Sequence, residues 1–414
     1  MTPPTQTPPT RSDLQGETAD SSAQDVRTQV IGWRRWLHQH PELGFQEHQT
    51  AAYVEAQLRT FPNLSVSRPT PTSVLAVLKG QAGLGRTVLL RADMDALPIQ
   101  EETGLPCASQ NPGVMHACGH DGHTAMLLGA AQLLSARPEE LSGEVRFIFQ
   151  HAEELFPGGA QELVDGGLMD GIDVAIGTHL MSPVPTGVVV LRDGPLLAAP
   201  DAFEITIQGK GGHGAMPHQT VDPVVVAAHV VLALQSVVSR LRDPLEPAVL
   251  TVAQIHGGTA HNVIPDSVTL GGTVRTFDEA LREHIPVQME QLARGTAEAH
   301  GAGCTFRYIR GYRPVINDPA TTATLREVAR EALADEMLAG EVVLSEGQPI
   351  MGGEDFSAYL SRVPGTFILI GAGNAEAGIT APHHHPRFDF DERALDHGTR
   401  LYVAAAQRLT RPQD

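Results

Sequence analysis

Apolar residues near the amino terminus recur at the spacing of an α-helix. Val26, Val30, Trp33 and Leu37 follow one another at helical intervals, and Pro41 comes shortly after them. Such spacing forms one apolar helix face, and proline does not fit inside a helix. We therefore predict a first helix that ends before Pro41.

Strand-like and helix-like patterns then alternate along the chain. The apolar runs TSVLAVLKG, RTVLLRADMDALPI, GEVRFIFQHAEE and IDVAIGTHL are typical of buried strands. A densely apolar helix, GHTAMLLGAAQLLSARP, lies among them, with Asp121 as its predicted N-cap. This alternation predicts an α/β fold with a mostly parallel sheet flanked by helices.

The pattern changes near Pro195 and returns beyond Arg313. Between these points the predicted order is strand, helix, strand, strand, helix, strand, which is the order of a ferredoxin-like α+β unit. We therefore predict an outer α/β domain at 25–195 and 312–414, with an inserted domain at 196–311. Residues 1–24 are rich in Pro, Thr and Ser and lack the apolar run of a signal peptide, so we expect a disordered leader.

The amino-acid composition disfavours some classes of binding partner. The chain has 414 residues and a formal net charge of −19, which disfavours nucleic acid and anionic membranes as partners. No apolar run approaches the ~20 residues that span a bilayer. The cysteines are Cys107, Cys118 and Cys304, an odd and scattered set that is typical of a reduced, cytoplasmic protein.

The stretch HACGHDGH, which contains Cys118 and His120, is the first candidate for chemistry. A thiolate at a helix start can act as a nucleophile or bind a metal, although a lone cysteine is more often a buried apolar residue. Other strand ends and loops supply the pair Glu153-Glu154, His179 and the run His383–His385. These donor types at one sheet edge favour a hydrolytic metal site with one carboxylate left as a base.

Two details qualify this interpretation. Adjacent glutamates on an extended strand point in opposite directions, so Glu153 and Glu154 can serve one site only if the backbone turns there. Gly209, Gly211 and Gly214 match G-x-G-x-x-G, but the next strand ends at His256 without an acidic residue for a ribose hydroxyl. We therefore do not predict a dinucleotide site.

Eight motifs occur in the order seen in a known family. They are HQHPELGFQE, RADMDALPIQEETG, MHACGHDGHTAMLLGAA, FIFQHAEE, GGHGAMPH, GGTAHNVIP, MGGEDFSAYL and HHHPRFDFDE. From about His38 to the last helix the chain resembles the N-acyl-amino-acid amidohydrolases, the aminoacylase, hippurate hydrolase and indole-acetyl-amino-acid hydrolase group of di-metal peptidases.

The resemblance implies a role for each candidate residue. It implies that the metal ligands are Cys118, His120, Glu154, His179 and His384, the last chosen over His385 because the family's ligand stands two positions before the proline. It implies that Glu153 is the general base, which takes a proton from metal-bound water and returns it to the leaving amine. Asp93 is then expected to orient a ligand imidazole.

The resemblance also implies roles for the inserted domain. It implies that this domain mediates dimerisation and that His213 stabilises the tetrahedral oxyanion in the partner's site. We therefore expect a homodimer or homotetramer, with 196–311 as a dimerisation or lid domain. Asn262 and Arg275 resemble positions that bind the substrate carboxylate, which suits a bidentate guanidinium. His151 replaces the family's usual proline, and we expect its side chain to face away from the site.

The expected activity is hydrolysis of a small N-acyl-amino acid with one or two ions, Mn2+ or Zn2+ first, with Co2+ and Ni2+ also compatible. One alternative is a metallo-dipeptidase or carboxypeptidase of the same fold. Another is a cysteine amidase that uses Cys118 with His120, which the surrounding carboxylates and histidines disfavour. A non-catalytic metal-binding protein is disfavoured because Glu153 is present.

Overall fold

The computed structural model describes residues 11–412, with side chains from Asp25 onward. Its strands are β1 (Leu64–Ser67), β2 (Val74–Lys79), β3 (Thr87–Asp93), β4 (Glu144–Gln150), β5 (Val174–Pro185), β6 (Val188–Val190), β7 (Gly194–Leu197), β8 (Ala199–Gln208), β9 (Gly212–His213), β10 (Ala248–His256), β11 (Val263–Ile264), β12 (Ser267–Thr276), β13 (Gly303–Ile309), β14 (Val315–Asn317), β15 (Val343–Ser345) and β16 (Gly365–Gly373). Its α-helices are α1 (Arg11–Gln39), α2 (His48–Leu58), α3 (His120–Ser135), α4 (Gly159–Asp165), α5 (Pro223–Arg240), α6 (Glu279–Ala299), α7 (Pro319–Ala332), α8 (Ala334–Leu338), α9 (Ser357–Leu360) and α10 (Arg393–Leu409).

The chain divides into two compact units. The first comprises the residues up to Leu191, Ala320–Glu346 and the residues from Val363, and the second comprises Arg192–Pro319 and Gly347–Arg362. The predicted insert, 196–311, lies within the second unit. The unit is larger than this insert because β14 pairs with β7, and Ile350 pairs with Leu197. Pairing between such distant short segments has no local sequence signal.

An eight-stranded sheet organises the first unit, in the order β1-β2-β4-β3-β5-β16-β6-β15. Its four central strands, β4, β3, β5 and β16, are parallel to one another. The strands β2, β3, β4 and β5 were all predicted from apolar runs. The predicted fold class, a mostly parallel sheet flanked by helices, is confirmed.

Three helices, α1, α3 and α10, pack against one another in the first unit. Almost every residue of α3 is buried, which explains its dense apolar sequence. Helix α1 begins at Arg11, so the expected disordered leader of residues 1–24 is too long. The leader's prolines end at Pro9, and no proline follows before Pro41, so nothing in this stretch blocks a helix. Residues 1–10 lie outside the described part of the chain.

The second unit contains a four-stranded antiparallel sheet in the order β10-β12-β8-β13. With helices α5 and α6 it forms the predicted ferredoxin-like arrangement. Asp222 caps α5 by accepting a hydrogen bond from Val224 N at 2.9 Å, as expected from the Asp-Pro start. By length and composition α5 is the one described helix that could cross a membrane, but it packs one apolar face on this sheet.

Candidate functional site

The predicted metal ligands all belong to the first unit and come from separate elements. Cys118 and His120 flank Gly119, whose φ of 96° lies in the left-handed region that favours glycine, and α3 begins directly after it. Glu154 follows β4, His179 lies in β5, and His384 lies in the loop after β16. The parallel order of β4, β3, β5 and β16 brings these segments to one edge of the sheet.

The structure brings these side chains together. In each of three overlapping groups, one donor atom from every member lies within 4.8 Å of the others. The groups are Cys118 with His120 and His179, Cys118 with Glu154 and His384, and His120 with Glu153 and Glu154. Cys118 Sγ lies 3.5 Å from His179 Nε2, and His384 Nε2 lies 3.0 Å from Glu154 Oε1.

Two histidines of this cluster are oriented as metal ligands usually are. His120 Nδ1 lies 2.9 Å from the Asp95 carbonyl oxygen, and His179 Nδ1 lies 2.8 Å from the Leu180 carbonyl oxygen. A carbonyl oxygen only accepts, so each Nδ1 is the donor and each ring, when neutral, keeps its lone pair on Nε2. His120 Nε2 is buried and has no hydrogen-bond partner among the described residues, which fits a position for an ion.

The charges of the cluster depend on burial. Burial, followed by the nearby rings of His123 and His383, holds the pKa of His179 well below its ordinary value, so this ring is neutral. Burial, with the carboxylate of Glu154, raises the pKa of Cys118 well above its ordinary value. A bound cation reverses this trend, because metal coordination deprotonates a thiol.

The backbone turn that the adjacent glutamates require lies at Ala152. This residue has φ of 50°, in the left-handed region that a non-glycine residue rarely occupies. Glu153 and Glu154 are thereby both members of one group with His120. The position of this turn could not be predicted, because alanine carries no preference for such a conformation.

Among the three consecutive histidines, His384 is the one in contact with Glu154. Its backbone N donates to the Ala117 carbonyl oxygen at 2.8 Å, which ties its loop to the cysteine segment. His385 Nδ1 instead accepts a hydrogen bond from Arg387 N at 3.1 Å. The geometry therefore favours His384 over His385.

Asp93 is buried and contacts a different imidazole from the expected one. Its carboxylate lies 2.7 Å from His123 Nδ1 and accepts from Arg91 Nη1 at 2.7 Å, whereas His120 Nε2 is 3.7 Å away. His123 Nε2 in turn accepts from Leu180 N at 2.8 Å, so both of its nitrogens are occupied. Asp93 thus orients His123, which was not a predicted ligand, and its carboxylate also lies near the ligand candidate His120 without a hydrogen bond to it.

The remaining predicted residues lie in the second unit. His213 is in β9, which pairs with β11, and Gly214 N donates to the Asn262 carbonyl oxygen at 2.8 Å. His213 and Asn262 are both exposed. The half-buried Arg275 donates from Nε to the Met351 carbonyl oxygen at 3.1 Å, and burial lowers its pKa.

His151 is buried beside the glutamates. Its Nε2 lies 3.0 Å from Glu162 Oε2, and its ring makes an edge contact with Phe45 at 5.3 Å. The ring thus contacts helix α4 and the loop before α2.

A buried ion pair holds the start of α3, and no local sequence pattern indicates it. Asp121 accepts from Arg34 Nε at 2.9 Å and lies 2.8 Å from His38 Nδ1. The predicted N-cap role of Asp121 is therefore wrong: Gly119 is the N-cap, and the Asp121 carboxylate is taken by α1. Burial alone would raise the pKa of Asp121, but Arg34 and His38 hold it well below its ordinary value.

The chain is similar in sequence to known proteins. Residues 89–408 match peptidase family M20/M25/M40. The chain belongs to this family. The predicted resemblance and the predicted enzyme class, a hydrolase of amide bonds, are confirmed.

Three relatives illustrate the match. An N-acyl-L-amino acid amidohydrolase of Geobacillus stearothermophilus is 61% identical over 293 residues, covering 71% of this chain and 79% of the relative. Thermostable carboxypeptidase 1 of Saccharolobus solfataricus is 37% identical over 396 residues, covering 95% and 98%. The crystal structure of a Bacillus subtilis protein, described as a dinuclear metal-binding peptidase of the M20 family, is 36% identical, with a TM-score of 0.80 and coverage of 94% of this chain and 99% of that one.

We predict that Arg34→Met destabilises the protein by ~3–5 kcal/mol, because it leaves the Asp121 charge buried beside His38 alone. The neighbouring Arg35→Met is the control: Arg35 is 56% exposed and pairs with Glu392, so we expect a loss below ~1 kcal/mol. Urea unfolding at pH 7 measures both.

The stabilisation by the Asp121 ion pair should depend on pH in one direction. A carboxyl group with a lowered folded-state pKa stabilises the protein above its unfolded-state pKa, near ~3.9, and this stabilisation is lost as the pH falls further. The difference between wild type and Arg34→Met should therefore shrink below about pH 4. Equal losses in the two arginine variants at pH 7 would show that the buried ion pair does not stabilise the fold.

Proposed function

We propose that this chain is a metal-dependent amidohydrolase that cleaves the amide bond of N-acyl-amino acids. One observation carries the proposal: Cys118, two histidines whose Nδ1 atoms each donate to a backbone carbonyl oxygen, and two carboxylates lie within one largely buried cluster. The Geobacillus stearothermophilus relative supports the substrate class. The carboxypeptidase relative supports the alternative, which is hydrolysis of the amide bond of small peptides.

The donor set suits divalent cations. We propose Cys118, His120, Glu154, His179 and His384 as the ligands of Mn2+ or Zn2+, with Co2+ and Ni2+ compatible with the same donors. Cys118 is a member of both the His120/His179 group and the Glu154/His384 group, so these residues together would offer donors for two ions. When bound, such ions lower the pKa of water and polarise a carbonyl group.

Glu153 is proposed as the general base. It is buried, and it belongs to the same group as His120 and Glu154 without being needed as a ligand. A carboxylate in that position can take the proton of the attacking water and deliver it to the nitrogen of the leaving amino acid. Asp93 contributes by fixing His123, whose ring packs 4.6 Å from that of His179.

Three residues of the second unit are proposed to act on the substrate. Arg275 carries a fixed guanidinium suited to a carboxylate, and Asn262 offers an exposed amide. His213 is exposed on a short two-stranded sheet, which supports a role at the oxyanion in a partner subunit.

A cysteine nucleophile is less well supported. Burial and the carboxylate of Glu154 raise the pKa of Cys118, whereas a nucleophilic cysteine needs a lowered pKa. The three cysteines are free thiols, which agrees with the cytoplasmic location that we propose.

We predict that chelator-stripped protein does not hydrolyse hippurate or N-acetyl-amino acids, and that Mn2+, Zn2+ or Co2+ restores turnover. Glu153→Gln should retain the metal but lose at least about 100-fold in kcat, because general base catalysis contributes about 10²–10⁴-fold. Release of free amino acid measures turnover, and elemental analysis measures the metal.

Two results would reject the proposal. Turnover that survives stripping and depends only on Cys118 would establish the cysteine amidase. Cleavage of dipeptides with no cleavage of any N-acyl-amino acid would establish the peptidase alternative.

We also propose that two copies associate through the second unit. Helix α5 exposes apolar side chains, Val224, Val225 and Leu232, on the face away from its own sheet. Strand β10 forms an edge of that sheet, and Ile255 on it is 60% exposed. An apolar helix face beside an unpaired strand edge is typical of an interface between like subunits.

We predict that Leu232→Glu, which places a charge on this face, converts the dimer to a monomer. Leu338→Glu is the control, since Leu338 is 88% exposed on α8 in the first unit. Sedimentation velocity measures both variants and the wild type. A monomeric wild type, or a Leu232→Glu dimer, would overturn the proposed interface.

A further inference from the structure

Two buried carboxylates hold the peptide groups on either side of Glu153. Glu47 Oε1 accepts a hydrogen bond from Ala152 N at 2.7 Å. Asp95 Oδ2 accepts one from Glu154 N at 2.9 Å. The residues that flank Glu153 are therefore each fixed by a side chain from a distant part of the chain.

The conformation fixed in this way is a strained one. Ala152 has φ of 50°, in the left-handed region, which is energetically unfavourable for a residue other than glycine. Its carbonyl oxygen accepts from Gly159 N at 3.1 Å, so both of its backbone polar groups are engaged. Such a conformation persists only when the surrounding contacts impose it.

The loop that carries Glu47 also packs closely against the turn. A Cβ atom added to Gly44 would lie 3.3 Å from both Cα and Cβ of Ala152. Glu47 itself is fully buried at the start of α2, and its Oε2 has no hydrogen-bond partner among the described residues. The hydrogen bond to Ala152 N is the contact through which this buried side chain acts on the turn.

Burial bears on the charge of Glu47. Burial, with the nearby carboxylate of Asp95, raises the pKa of Glu47 to about 8. Its side chain is thus mostly uncharged at neutral pH, and the neutral amide of glutamine has nearly the same shape. A glutamine can therefore accept the same hydrogen bond from Ala152 N.

Asp95 links the turn to a proposed ligand. Its Oδ1 lies 3.3 Å from His120 Nδ1, and its own carbonyl oxygen lies 2.9 Å from the same nitrogen. One residue therefore contacts both the segment that carries Glu153 and the imidazole beside it. Glu47 holds the residue on the other side of Glu153, and the contacts described above do not connect its side chain to a proposed ligand.

We propose that Glu47 is a positioning residue, which holds Ala152 in its left-handed conformation and thereby aims the Glu153 carboxylate at the group formed with His120 and Glu154. This inference rests on the proposed role of Glu153 as the base. It assigns to Glu47 an effect on the proton-transfer step rather than on metal or substrate binding.

The test compares Glu47→Leu, which cannot accept a hydrogen bond, with Glu47→Gln, which can. We expect Glu47→Leu to lower kcat by on the order of 100-fold, as a displacement of about 1 Å can do, with KM and metal content as in the wild type. Glu47→Gln should recover most of the lost kcat. Glu47→Asp, one methylene shorter and more tolerant in folding, should behave like Glu47→Leu and serves if that variant is insoluble.

Glu42→Leu is the matched control. Glu42 lies in the same loop and is a carboxylate that binds backbone N–H groups, but those groups belong to Gln49 and Thr50 in α2. We expect this variant to lose stability and to keep the wild-type kcat once it is folded. Equal losses of kcat in Glu42→Leu and Glu47→Leu, or a wild-type kcat in Glu47→Leu, would overturn the proposal.

A structural readout separates this inference from the proposed function. If the wild type hydrolyses no N-acyl-amino acid, the proposed function fails, and the crystal structure of Glu47→Leu decides the positioning claim alone. Ala152 outside the left-handed region would support the claim. An unchanged φ at Ala152 with Glu153 in place would reject it.

Discussion

The parallel pairing of β4, β3, β5 and β16 is the constraint on which the rest of the site depends. Parallel strands end at the same edge of their sheet, so residues from distant parts of the chain meet there. Cys118 and His120 arrive with the helix that follows β3, Glu154 arrives after β4, and His384 arrives after β16. Each element carries one or two donors, and the parallel sheet brings these donors together at one edge.

Convergence of so many carboxylates has an electrostatic cost that the surrounding residues offset. A buried carboxylate is destabilising unless a cation or hydrogen bonds compensate it. Arg34 compensates Asp121, Arg91 compensates Asp93, and burial leaves Glu47 mostly uncharged. The same contacts fix α3 and the Ala152 turn, so charge compensation and the geometry of the site have a common origin.

Sequence patterns predicted the central strands and the convergent donors, because apolar runs and the polar residues at their ends are local signals. They could not predict that Arg34 on α1 would take the Asp121 carboxylate, since the two are brought together only by helix packing. They could not predict the left-handed Ala152 or the preference of Asp93 for His123, because both depend on tertiary contacts. The helix start at Arg11 was missed because a polar composition was interpreted as disorder.

The proposed chemistry requires that Cys118 is a metal ligand rather than a nucleophile or an inert buried thiol. Titration of the chelator-stripped protein with Co2+, followed by near-ultraviolet absorption, tests this role most directly, because a thiolate bound to cobalt gives a charge-transfer band. We predict this band in the wild type, in Cys107→Ser and in Glu153→Gln, and its loss in Cys118→Ser. A wild type without the band, or a Cys118→Ser variant that retains it, would contradict the assignment of Cys118 as a ligand.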